Sequence, residues 1–182
     1  MPRLRWTFLV AIVLGAALVF ATAAFGGSGE TPHVDARQVV KGVWISGQVA
    51  PEQLAQLKAQ GFRAVVDLRP DNEGPGQPSA GTMGAAAAQQ GMAFDYAPVS
   101  PGAVPAAAVD TLGRALARGE QPVLLYCRSG SRAARTWALA EASRPGGLDA
   151  DAIVDAVRQA GQNAGDLRDQ IVARIAARPS AR

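Results

Sequence analysis

Residues 122–126, PVLLY, form an apolar run that ends at Cys127, continues into the loop Arg128-Ser129-Gly130-Ser131, and is followed by RAARTWALAEAS, a stretch with helix composition. A strand without polar alternation is buried on both faces, which requires helices on both sides of a largely parallel sheet. The rest of the chain fits that demand, switching element every ten to fifteen residues from about Val39 onward. Residues 38–40 and 43–46 read as a hairpin, and PEQLAQLKAQ reads as a helix with Pro51 at its first position and Gly61 as its terminator. Residues 63–68 (RAVVDL) and 92–96 (MAFDY) read as strands, and residues 80–90 and 105–118 as helices. The segment 69–76, RPDNEGPG, is a breaker-rich loop too polar to bury. A helix following Asp149, Asp151 and Asp155 and another over 166–177 close the pattern, with 179–182 as a tail. No internal repeat is found. The sequence therefore predicts an α/β fold, a central mostly parallel sheet flanked by helices.

The first 25 residues stand apart. Arg3 and Arg5 precede residues 6–25, which carry no charge and are long enough to cross a ~30 Å apolar layer. Two readings stand: a signal peptide cleaved after small residues near Ala21-Thr22-Ala23, or an uncleaved single transmembrane anchor. Both put the rest of the chain outside the cytoplasm, periplasmic or otherwise extracytoplasmic, with residues 26–37 as a linker and 38–178 as the functional domain. If the segment is uncleaved, it is the protein's contact with the membrane.

Charge and composition exclude several classes. The formal net charge is +3, but with Arg3 and Arg5 set aside basic residues outnumber acidic ones by one, which gives no electrostatic reason to bind nucleic acid. A single cysteine rules out a disulfide scaffold. The single histidine, His33, lies in the linker, so no metal site and no cofactor are expected. Trp44, Phe62 and Trp137 read as core residues, and Arg168, Arg174 and Arg178 on the last helix as a solvated face, with anionic lipid as the alternative.

The chemistry is concentrated at Cys127-Arg128-Ser129-Gly130-Ser131-Arg132. This segment places a thiol at the carboxyl end of a buried strand and an arginine in the first turn of the next helix. The loop amides can converge on one point, Gly130 permits the backbone conformation this requires, and the helix dipole favours negative charge there. Cys127 is thus the candidate nucleophile, and Arg132 and Arg128 the candidate partners of an anionic substrate. Asp67 and Arg69, at the carboxyl end of an earlier strand, either face the same pocket or form a solvated loop ion pair.

The pattern Cys-x-x-Gly-x-Arg resembles the active-site loop of single-domain rhodanese sulfurtransferases. Over a wider span, Trp44-Ile45-Ser46-Gly47-Gln48, Pro51-Glu52-Gln53-Leu54, Gly61-Phe62-Arg63, Asp67-Leu68-Arg69-Pro70-Asp71, Pro98-Val99-Ser100-Pro101-Gly102 and YCRSGSR are together similar to the beta-lactamase-hydrolase-like, phosphatase-like domain family, over about residues 39–142. The resemblance implies a protein-tyrosine-phosphatase-like fold and a member named either a phosphatase or a sulfurtransferase.

Two observations favour the sulfurtransferase. Phosphatases of that fold carry five residues between Cys and Arg, whereas four separate Cys127 from Arg132, the length rhodaneses use to hold a persulfide. Hydrolysis through a cysteinyl phosphate also needs an acid for the leaving oxygen, supplied in the related enzymes by an Asp after the middle strand. Residues 98–103, PVSPGA, contain no carboxylate, and Asp95 lies within the strand. The expectation is a persulfide on Cys127, formed from a small anionic sulfur donor and discharged to an acceptor thiol. The alternatives are a phosphatase-like hydrolase of phosphate esters and a non-catalytic oxyanion-binding module.

Overall fold

The structure is a computed structural model that describes residues 33–178. The expected leader, most of the linker and the tail lie outside them. Among the described residues, no helix is long and apolar enough to cross a membrane.

Five strands, β1 (Arg37–Val40), β2 (Val43–Ser46), β3 (Ala64–Asp67), β4 (Ala93–Tyr96) and β5 (Val123–Tyr126), form one sheet in the order β1-β2-β5-β3-β4. Only the β1–β2 hairpin is antiparallel, with β5 central between β2 and β3. Among the described residues six helices flank the sheet: α1 (Gln53–Ala59), α2 (Ala80–Gln89), α3 (Ala106–Ala117), α4 (Ser131–Ser143), α5 (Ala150–Gln159) and α6 (Arg168–Ala176), the last preceded by a 3-10 turn at Gly165–Leu167.

Strand pleating divides the core into two layers. Val123, Leu125 and Cys127 face α3, α4, α5 and α6, where Leu112, Trp137, Leu139 and Ile153 are buried. Leu124 and Tyr126 face the opposite side, against Leu54 and Leu57 of α1 and Met83 of α2. Two apolar faces on one strand are what the PVLLY run demanded.

Each element begins or ends within two residues of its expected position. Pro51 differs slightly, since regular helix starts at Gln53; the first turn is closed instead by Gln53 N–H donating to the Ala50 carbonyl at 3.0 Å and by the Gln53 side chain accepting from Ala50 N–H at 2.8 Å. Gly61 ends α1 at φ +94°, with Phe62 N–H bonded to Leu57 O and Gly61 N–H to Lys58 O, the left-handed cap that only glycine adopts without strain. Trp137 and Phe62 are buried, and Trp44 meets Phe62 edge to face at 6.0 Å. The arginines of α6 and Arg178 just beyond its end are committed to the protein itself: Arg168 pairs with Asp151, Arg174 donates to Ser143, and Arg178 donates to the carbonyls of Glu141, Ala142, Gly147 and Leu148.

Candidate active site

Parallel strands bring their carboxyl ends together, so the residues following β2, β3 and β5 converge at one end of the sheet. Cys127 leaves β5 there, fully buried and unpaired. The chain then turns through Arg128, Ser129 and Gly130 into α4. Gly130 sits at φ +88° and its N–H donates to the Cys127 sulfur at 3.2 Å. A Cβ at this position would come within 3.0 Å of the Gln162 amide and 3.4 Å of the Ser46 carbonyl, so both conformation and space call for glycine. The loop is held from outside by Gln48 N–H donating to Arg128 O and by the Gln162 amide donating to Ser129 O.

Arg132, in the first turn of α4, turns into the site, where its charge interacts with the Cys127 sulfur. Its two terminal nitrogens bond both oxygens of Glu73, at 2.6 and 2.8 Å, and one of them also bonds the Val99 carbonyl at 2.7 Å. Arg69 completes the cluster: its Nε donates to Glu73 at 2.8 Å and its Nη1 to Gln48 Oε1 at 2.7 Å. Glu73 thus bridges two guanidiniums. The Arg132 hydrogen bonds, followed by those from Arg69, outweigh burial and hold the Glu73 carboxyl down at about 2.

Asp67 and Arg69 are neither solvated nor paired side chain to side chain. Both are buried, and the Asp67 carboxylate accepts the backbone N–H of Arg69 at 2.8 Å. Burial raises Asp67 to about 6 against the opposing pull of that amide. Tyr126, beside it in the sheet, has its phenol pushed up by burial and then by the Asp67 charge. Arg128 and Ser129 are exposed, and Ser131 is half-buried at the start of α4. Asp95 is occupied by an ion pair with Arg118.

Glu73 is the residue that sequence reasoning missed. Its signal was available: the breaker-rich loop 69–76 follows a parallel strand at its carboxyl end, where ligands bind, and Glu73 lies four residues after Arg69. A separate cleft of about 790 Å³, lined by Val43, Val109, Leu116 and Trp137 among others, opens at the amino ends of β2 and β5, away from Cys127.

Comparison with known proteins agrees with this arrangement. Residues 35–144 match the model of the beta-lactamase hydrolase-like protein, phosphatase-like domain. The beta-lactamase hydrolase-like proteins of Xylella fastidiosa strain Temecula1 and Agrobacterium fabrum strain C58 are 37% and 36% identical over 97 and 98 residues, 53% and 54% of this chain. The matched segment spans only 22% and 23% of those relatives. Among solved structures, a candidate phosphatase from Neisseria meningitidis Z2491 superposes with a TM-score of 0.64 at 26% identity, covering 76% of this chain and 96% of the other. The core catalytic domain of the PP-IP phosphatase Siw14 from S. cerevisiae, solved with citrate, shares the fold at a TM-score of 0.54 and 18% identity, covering 79% and 86%. With a protein-tyrosine-phosphatase-like fold and a family match over most of its described residues, this chain belongs to the phosphatase-like domain family of beta-lactamase hydrolase-like proteins.

Proposed function

We propose that the chain is a cysteine-dependent, phosphatase-like hydrolase of phosphate esters. The observation that carries this reading is the Glu73 carboxylate seated with both oxygens on Arg132 beside Cys127. A carboxylate presents to a guanidinium the same pair of oxygens that a phosphoryl group does, so Arg132 faces inward as an oxyanion receptor. The fold relatives support the same chemistry. Glu73 also answers the objection drawn from residues 98–103, because it brings a carboxylate to the sulfur's neighbourhood from a different loop.

In this mechanism the Cys127 sulfur, at the amino end of α4, attacks phosphorus while Arg132 and the loop amides hold the non-bridging oxygens. Water then releases phosphate from the cysteinyl intermediate. Arg69 supports Arg132 through the group they share, and Asp67 positions Arg69 through its backbone amide.

A second reading, persulfide transfer from a small anionic sulfur donor to an acceptor thiol, is favoured by the four-residue spacing between Cys127 and Arg132. Two assays separate the readings: phosphate release from p-nitrophenyl phosphate, and thiocyanate formation from thiosulfate and cyanide, each with full-length protein and Cys127→Ser. The hydrolase reading expects Cys127-dependent phosphate release. Thiocyanate without phosphate would replace it with the transferase, and oxyanion binding with neither product would make the domain a binding module. Residues 1–25 support an extracytoplasmic location within the same proposal, which a reporter fused after residue 32 would test.

A further inference from the structure

Resting on the hydrolase reading, we infer that Glu73 is displaced from Arg132 by the incoming phosphate ester, takes up a proton, and donates it to the departing ester oxygen. Glu73 takes one N–H from each terminal nitrogen of Arg132 and the Val99 carbonyl takes a second from one of them, so a phosphoryl group gains that two-point face of the guanidinium, beside the buried Cys127, only when the carboxylate leaves. The backbone around it is fixed. Tyr96 Oη accepts from Asp71 N–H at 2.9 Å, Asp71 caps α2 through Ala80 N–H at 2.7 Å, and Gln77 ties Glu73 N–H at 3.2 Å to the Pro70 carbonyl at 2.8 Å. The Glu73 side chain can therefore swing while its loop stays, which leaves the carboxyl at the mouth of the site.

Charge follows from the displacement. In the free protein, Glu73 is ionised because Arg132 and then Arg69 hold it, with burial opposing. A dianion on Arg132 removes the larger of those contacts and adds like charge beside the carboxyl, and both changes favour the protonated form. The charges facing Glu73 are Arg69 from its own loop and Arg132 from α4. Cys127 interacts with Arg132 in turn, and Asp67 interacts with both Asp71 and Arg69. The other carboxylates nearby are engaged elsewhere: Asp95 with Arg118, Asp67 with the Arg69 amide, and Asp71 with α2.

The cycle balances. On binding, Glu73 takes a proton from solvent. As the Cys127 thiolate forms a bond to phosphorus, the phosphorus–ester bond breaks, its electron pair stays on the leaving oxygen, and the Glu73 proton converts that oxygen to an alcohol. The resulting carboxylate then takes a proton from water as the hydroxide attacks phosphorus and the electron pair of the phosphorus–sulfur bond returns to sulfur. Phosphate departs, and Glu73 releases its proton and returns to Arg132.

The test has a binding arm and a turnover arm, both with the full chain. In the first, sulfate, a tetrahedral dianion that does not titrate near neutrality, is bound to Cys127→Ser protein by calorimetry in buffers of different ionisation enthalpy. Sulfate should bind with proton uptake and more tightly as pH falls. Adding Glu73→Gln should tighten binding at pH 8 about tenfold or more and abolish the uptake, since Asp67 remains present in both proteins. Equal affinity with and without Glu73→Gln, no proton uptake, or no sulfate binding by either protein would overturn the inference. In the second arm, with Cys127 intact, Glu73→Gln should lower kcat about 100-fold on an alkyl phosphate and under tenfold on p-nitrophenyl phosphate, with Glu73→Asp partly restoring the former. A loss independent of leaving group would overturn proton donation. Absence of Cys127-dependent phosphate release from wild-type protein would instead sink the hydrolase reading and proton donation with it, while the sulfate arm still decides displacement.

Discussion

Arginine meets carboxylate in two settings in this molecule. On the helical face, Arg168 pairs with Asp151 and Arg158 with Asp155, with side chains 50% or more exposed. At the carboxyl end of the sheet, Arg132 and Glu73 are each 15% exposed and stand 59 residues apart in the chain. The surface pairs sit in water, where screening and side-chain entropy cancel most of the attraction. The site pair gathers α4, the loop after β3, and the Val99 carbonyl after β4 around one sulfur. The first kind decorates the surface; the second holds a largely buried guanidinium beside the Cys127 sulfur.

Removing the sulfur should have the largest effect, with Cys127→Ser reducing phosphate release to the level of protein-free controls. Arg132→Ala should lower kcat/KM on an aryl phosphate by about 10³-fold, and Arg132→Lys should recover little of it, because an ammonium cannot reproduce a two-point contact. A pH dependence of stability separates the buried carboxylates. Asp67, raised to about 6 in the folded state against 3.8 otherwise, gives a contribution that is favourable below about 4 and lost as pH rises through 6. Asp67→Asn should therefore flatten the stability profile between those values by ~3 kcal/mol in urea titrations. Glu73 works in the opposite sense: its contribution is present above 4.5 and lost only as pH falls toward 2. At the small end, Arg158→Ala should leave both melting temperature and activity unchanged within error. A loss there comparable to that of Arg132→Ala would erase the distinction between the two settings.

Much of the fold was legible because its signals are local. PVLLY announced a strand covered on both faces, and Gly61 announced the end of α1. The Cys127 loop was legible for the same reason, since strand, thiol, glycine and helix are contiguous. Glu73 was not, because its role depends on which loop the parallel sheet brings opposite Arg132, a long-range pairing that periodicity cannot report. Asp67 and Arg69 were placed in the right neighbourhood with an alternative of solvated pairing that burial removes. Arg128 shows the converse: adjacent to the nucleophile in sequence, it is exposed where Cys127 is buried.

Above all, Cys127 is expected to accept a phosphoryl group. Full-length protein mixed with an aryl phosphate, quenched in acid within milliseconds to seconds and weighed intact, tests it directly. The expected result is a transient gain of one phosphoryl group, absent in Cys127→Ser and longer lived in Glu73→Gln, whose amide cannot take the proton from water. No phosphoryl adduct at any time, with a gain of one sulfur from thiosulfate on the same cysteine, would contradict it.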